Sequence, residues 1–267
     1  AGHAILRSPD LWLVYNGGWT SNRSHHNLDL GTFVLVAGNE RMVHDPGYRE
    51  VETSKHSTVL VNGRGQCLDG QGQFLKFGST SRFHYFASDL SDAYEEQSLQ
   101  RFVRHMLMLH GSCLVIFDDL AADSPATFEW LLQTRHEVDL LDDRAVIRGV
   151  EWDLHVCNPL PEQQMHTHQW YRKKSGEKLT CLSIRPTQKT TEEIRFFTVL
   201  YPIRKADNAI PDTTLLNPEM LEIKKPHNSD DRITFNKTQS GWMLRSVNGE
   251  SAENLGNVNQ RTLHRIR

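Results

Sequence analysis

The feature that most constrains this chain is its rhythm. Short β-favouring runs are closed by turn residues, and a sustained 3.6-residue period is almost absent. Leu11-Trp12-Leu13-Val14-Tyr15 ends at Asn16-Gly17-Gly18. The runs at 32–36 and 41–44 flank Ala37-Gly38-Asn39-Glu40 and read as a hairpin that stops at Asp45-Pro46-Gly47. The run at 58–61 meets Asn62-Gly63, the strongest short hairpin signal. The pattern recurs at 114–117 before Asp118-Asp119, then at 128–132, 145–148, 179–184, 195–201, 232–235 and 242–245, with Asn248-Gly249 as a late turn. Residues 95–108 are the best helical candidate, but Phe102, Val103, Met106 and Leu107 suit a strand equally. Residues 204–229 are rich in Pro and Asn and are expected to be loop-heavy. Regularly spaced strands predict an all-β chain, a large antiparallel β-sandwich with few or no helices. No internal repeat divides it, and 267 residues suit a single all-β domain.

Composition narrows the function classes. A net charge of −3 and a pI near 6.6 do not suit a basic nucleic-acid binder. The longest apolar runs fall far short of the ~20 residues of a membrane-spanning helix. The four cysteines, Cys67, Cys113, Cys157 and Cys181, lie too far apart for a zinc ribbon or a thioredoxin-type redox pair. They read as small buried hydrophobes.

Three segments concentrate chemistry. The first is Ser24-His25-His26-Asn27-Leu28-Asp29, the second His44-Asp45-Pro46-Gly47-Tyr48, and the third Lys55-His56-Ser57-Thr58-Val59. If their strands are sheet neighbours, the three converge at one end of a sheet. Imidazole and carboxylate together suit zinc or a similar divalent metal, and a His with a Tyr suits acid–base work. The plainer reading is that these are turn residues and solvated histidines in a chain with 14 His. His166-Thr167-His168 reads as a solvated loop, and Arg101 and Arg104 as structural partners of Asp or Glu. Trp12, Trp130, Trp152 and Trp242 read as core. Phosphate-binding glycine loops, nucleophile elbows and zinc-protease helices are absent from the sequence.

The run from His25 to Gln66 resembles the opening of the C-terminal β-sandwich of the heparinase II/III-like family. The residues that carry the resemblance are His25-His26-Asn27-Leu28-Asp29, Phe33, Asp45-Pro46-Gly47, His56-Ser57-Thr58-Val59 and Asn62-Gly63. Ser91-Asp92-Ala93-Tyr94, Arg101 to Arg104, Val115 to Leu120 and Phe128-Glu129-Trp130 extend it over roughly residues 5–160. The resemblance implies that residues 1–267 are that β-sandwich domain, without the helical α/α-toroid that usually precedes it. It implies a polysaccharide lyase acting by β-elimination on an acidic, uronic-acid-containing polysaccharide, in a periplasmic or secreted setting. A uronyl epimerase, or a non-catalytic sandwich that binds glycan or braces an adjoining domain, would share these residues. His25 matches the family's catalytic His, with Tyr48 a second acid–base candidate and Arg64 a candidate for substrate charge. Asn27 and Asp45 match metal-ligand positions, with His56 or His84 as the third ligand. Zinc or another divalent cation is the implied cofactor, although Asn27 stands where His is commoner.

Overall fold

The computed structural model describes residues 2–18, 27–47, 49–97, 99–110, 113–207, 210–225 and 229–257. Every strand pairing in it is antiparallel, and helical geometry among the described residues is confined to two short 3-10 segments. The chain is therefore an all-β sandwich, as its rhythm predicts.

The central layer is a nine-stranded sheet whose middle strands are Trp152–Cys157, Thr191–Arg204, Cys113–Ala126, Leu99–Leu109 and Phe83–Asp89, in that order. Strand alternation sends successive side chains to opposite faces. Phe102, Met106 and Met108 join Leu114, Ile116 and Leu120 in one core, while Val103, Leu107 and Leu109 join Val115 and Phe117 in another. The first core is closed by two four-stranded sheets. One comprises His3–Arg7, Leu11–Asn16, Phe33–Ala37 and Glu40–Val43. The other orders Gln163–Tyr171, Lys178–Pro186, Phe128–Thr134 and Val59–Val61. The second core is closed by a five-stranded sheet within residues 212–251, through Ile233, Phe235, Trp242 and Leu244.

Burial on both faces explains where sequence and structure part. A doubly covered strand is apolar throughout, so it loses the period-two signal. Residues 95–108 accordingly split into a 3-10 segment, Ser91–Gln97, and the strand Leu99–Leu109. Asp118-Asp119 is not a turn but the middle of Cys113–Ala126. Residues 204–229 hold a hairpin, Asp212–Asn217 and Met220–Lys224, and His166 and His168 lie exposed on the edge strand Gln163–Tyr171. Asn62 and Gly63 take positive φ, as a tight turn requires, yet close only a single bridge between Val61 and Arg64. Val59–Val61 pairs instead with Phe128–Thr134. Trp130, Trp152 and Trp242 are buried as core, Trp12 is half-buried, and no disulfide joins the four cysteines.

Candidate functional site

The three chemical segments do converge. Residues 27–32 precede the strand Phe33–Ala37, Asp45-Pro46-Gly47 follows Glu40–Val43, and His56 follows the 3-10 turn Thr53–Lys55. One ligand atom from each of Asp29, Asp45 and His56 lies within 4.8 Å of the others. The Nδ1 of His56 sits 3.0 Å from Oδ2 of Asp45, and its Nε2 donates to the carbonyl of Glu50 at 2.7 Å. The Nε2 bond fixes the ring so that Nδ1 faces Asp45. Asp45 accepts the Gly47 N–H at 2.8 Å, closing an Asx-type turn in which Gly47 takes a φ of 87°. Asn16 Nδ2 donates to Asp29 at 2.9 Å. Asn27 Nδ2 donates to the Gly47 carbonyl at 3.1 Å, leaving its Oδ1 buried without a hydrogen-bond partner.

The electrostatics follow from burial and pairing. Burial pushes the Asp45 carboxyl up, but the hydrogen bond and charge of His56 outweigh it and hold Asp45 below the usual range. Burial pushes His56 down, and Asp45 more than reverses this, so His56 titrates above an ordinary histidine. Asp29 is pushed up to about 6 by burial, with His56 opposing and Asp45 adding to the rise. Burial, with Arg135 and Arg41 nearby, lowers buried His44 to about 4.

A buried polar floor holds these segments in place. The side-chain amide of Gln66 pairs with Leu30 as a strand would, accepting its N–H at 2.8 Å and donating to its carbonyl at 2.7 Å. The Thr58 hydroxyl also donates to the Leu30 carbonyl, and buried Tyr94 donates to that of Val59 at 2.6 Å. Arg104 is wholly buried against Asp118, with bonds of 2.8 and 2.7 Å. Its free Nη1 donates to the carbonyls of Gly31 at 2.6 Å and Ser57 at 2.9 Å. One guanidinium thus ties the Asp29 segment to the His56 segment. Arg101 pairs with Asp119 at 2.8 Å, so both arginines have the structural partners read from sequence.

The remaining candidates fall elsewhere. His25 and Tyr48 lie outside the described residues. His84 is not brought to Asp45: its ring nitrogens meet Ser79 Oγ and the Arg7 carbonyl, each at 2.8 Å, and its ring lies against His110. Arg64 is exposed on the Asn62-Gly63 turn and makes no described contact with the cluster. Asp29 is the residue that sequence reasoning quoted but did not assign. Its signal was its place in the motif segment His25-His26-Asn27-Leu28-Asp29, which had already supplied Asn27 as a ligand candidate. A cavity of about 580 Å³ opens between Leu140, Arg144, Leu160 and Thr213, and none of the cluster lines it.

Two carboxylates and one imidazole form a donor set that fits a divalent cation. Without a cation, Nδ1 must carry a proton to satisfy Asp45, and His56 is then cationic.

The geometry can be set beside known proteins. No curated protein matches the chain. Among solved structures it is similar to the heparan sulfate lyase HepC from Pedobacter heparinus, with a TM-score of 0.70 at 13% identity over 91% of this chain and 41% of that one. It is similar to a crystal structure of heparinase III, with a TM-score of 0.69 at 14% identity over 88% of this chain and 41% of that one. The chain therefore spans about two fifths of the length of these proteins, and at such identity the likeness concerns the fold. A family model described as Heparinase II/III-like, C-terminal, matches residues 1–181, the stretch that carries the first four-stranded sheet, all of the second but the end of Lys178–Pro186, and all three site segments. With two thirds of its sequence matched and the same sandwich built from it, the chain belongs to the heparinase II/III-like C-terminal family.

Proposed function

We propose that this chain forms one wall of a polysaccharide lyase site that cleaves a uronic-acid-containing polysaccharide by β-elimination. The observation that carries the reading is the Asp29–Asp45–His56 cluster, built from the family's motif segments at one end of the sandwich. The chemistry sets the demands. A proton alpha to a carboxylate is weakly acidic, so the negative charge of that carboxylate must be offset while the proton leaves. A base takes the proton, and an acid protonates the departing glycosidic oxygen.

In this reading His25 is the base, or the acid–base partner, on the sandwich side, and Tyr48 is the second acid–base group. Each adjoins a cluster segment in sequence, His25 two residues before Asn27 and Tyr48 directly after Gly47. Arg64 would meet substrate charge from the exposed turn. Asp29, Asp45, His56 Nδ1 and Asn27 Oδ1 would hold a divalent cation, zinc or an oxygen-preferring ion. When bound, it would supply fixed positive charge and a rigid loop geometry. The remaining groups that face the sugar are assigned to a helical domain that would precede this sandwich in the full-length protein. A periplasmic or secreted location accompanies the proposal.

The test follows the ultraviolet absorbance of unsaturated uronate on heparan sulfate, hyaluronan, chondroitin and alginate, using the full-length gene product. The expected result is absorbance on at least one polymer, lost in His25→Ala. Chain cleavage with no unsaturated product would indicate hydrolysis, and inverted uronate with intact chains would indicate epimerisation. Either would overturn the lyase reading.

A further inference from the structure

Beside the cluster lies a concentration of positive charge that the proposed chemistry does not use. The hairpin of Gln163–Tyr171 and Lys178–Pro186 turns through Arg172-Lys173-Lys174-Ser175-Gly176-Glu177. Its tip, with adjoining Lys178, carries four basic residues against one carboxylate in a chain whose net charge is −3. The turn is closed by backbone bonds between Arg172 and Glu177 at 2.9 Å and between Gly176 and Arg172 at 3.0 Å. Gly176 takes a φ of 66°, which a side chain would disfavour.

Two buried links fix this tip against the cluster. Glu50 accepts His56 Nε2 on its backbone carbonyl and the Lys173 N–H on its carboxylate at 3.0 Å. Gln133 accepts the Trp170 indole N–H at 2.9 Å and donates to the backbone carbonyls of Ser54 and His56. The hairpin cannot shift without moving the strap that carries His56.

Lys173 is paired with Glu52 at 2.8 Å, and the remaining charges at the tip are unevenly matched. Glu177 lies between two guanidiniums, accepting from Arg135 at 2.6 Å and Arg172 at 3.1 Å. A single carboxylate thus serves two arginines, and all three side chains remain partly exposed. The other terminal nitrogen of Arg172 points to within 3.8 Å of where a Cβ on Gly47 would stand. Gly47 is the residue whose carbonyl holds Asn27 and whose N–H holds Asp45. Lys174 is exposed and has no ion-pair partner among the described residues.

We infer that Arg135 and Arg172, with Lys174 at the rim, form an anion-recognition subsite for a carboxylate or sulfate on a sugar flanking the one that reacts. The inference deepens the lyase reading and rests on it for the class of polymer. Guanidinium forks match such planar or trigonal oxyanions with paired hydrogen bonds. Glu177 acts as a placeholder that holds the two guanidiniums together and limits how tightly the polymer is held.

The experiment measures binding, which needs no turnover. The probe is heparin, with a desulfated uronate polymer and neutral dextran beside it, titrated by calorimetry into this chain at several salt concentrations. Arg135→Gln/Arg172→Gln is expected to weaken heparin binding roughly tenfold or more and to flatten its salt dependence. Glu177→Gln is expected to strengthen it. A control of equal charge change, Arg82→Gln/Arg148→Gln, is expected to leave it unchanged. Each variant is accepted only with a wild-type melting temperature. Binding of the desulfated polymer with the same variant pattern identifies the recognised group as carboxylate, and its loss identifies sulfate. Equal weakening by the control pair, weaker binding in Glu177→Gln, or no binding to either acidic polymer would overturn the subsite. If the subsite holds while the full-length enzyme forms no unsaturated product, the lyase reading fails by itself.

Discussion

At the scale of single residues, the cluster is a contest between burial and charge. His56 is wholly buried and Asp45 only partly so, and each holds the other ionised. The raised His56 contributes stability that is complete below its unfolded value of 6.5 and lost as pH rises through its folded value. The depressed Asp45 contributes stability that is complete above 3.8 and lost as pH falls through its folded value. Asp45→Asn should therefore cost most between these two pH values, about 2 kcal/mol from the lost charge-assisted bond. Urea midpoints of wild type and variant across pH 3–9, in chelator, check this. Asp29 behaves in the opposite way. Its folded value of about 6 means that stability falls as pH rises from 3.8 to 6. Asp29→Asn should consequently stabilise the metal-free protein at pH 7. Calcium or zinc at a hundredfold excess over its dissociation constant should stabilise the wild type by about 2.7 kcal/mol and leave both variants nearly unmoved, as read in melting temperature. His44, lowered to about 4, should remain neutral throughout an NMR titration from pH 8 to pH 5.

At the scale of elements, the site depends on two neighbouring strands of the central sheet. Arg104 and Asp118 face each other directly across the pair Leu99–Leu109 and Cys113–Ala126. Removing one partner leaves a buried charge uncompensated, so Arg104→Met alone should cost about 3–5 kcal/mol. Arg104→Met/Asp118→Leu should recover much of that loss, since an apolar pair can replace a buried ion pair. It cannot restore the bonds to Gly31 and Ser57. Hydrogen exchange in residues 27–32 and 56–58 should therefore stay faster in the double variant even where global stability returns. Gln66→Leu, which removes the paired bonds to Leu30, should expose the same segment at a cost of about 1–3 kcal/mol. The Asp118-Asp119 dipeptide shows the limit of local reading. Two acids in succession suit a turn, and only the arginines on the next strand make them suitable for a strand interior.

For the whole molecule, the central sheet separates stability from function. Its second face stacks Phe117 on Phe197 at 4.4 Å between ring centroids, with Phe235 of the five-stranded sheet equally close to Phe117. The cluster segments pack on the opposite face, around Leu30, Phe33, Val59 and Tyr94. Phe235→Ala should therefore lower stability by about 3–5 kcal/mol while leaving cation and heparin affinity unchanged at a temperature where the variant remains folded. Calorimetric melting and titration on the same sample check both halves of this expectation.

Sequence alone determined the class of fold, because strand length, turn dipeptides and the missing helical period are local properties. It also placed Asp45 and His56 in a shared neighbourhood, since the Asp-Pro-Gly turn and the strand starts fix where those side chains emerge. The choice between His56 and His84 was not local: each lies between a turn and β-favouring residues, and only sheet order sends one to Asp45 and the other to Arg7. The same holds for Asp29, which joins the cluster because Gln66 and Arg104, 36 and 73 positions along the chain from their backbone partners, grip Leu30 and Gly31. The three-layer arrangement was likewise hidden, because a strand buried on both faces carries no alternation to reveal it. Contacts of such sequence separation are decided by the packing of sheets, and no short window of residues records them.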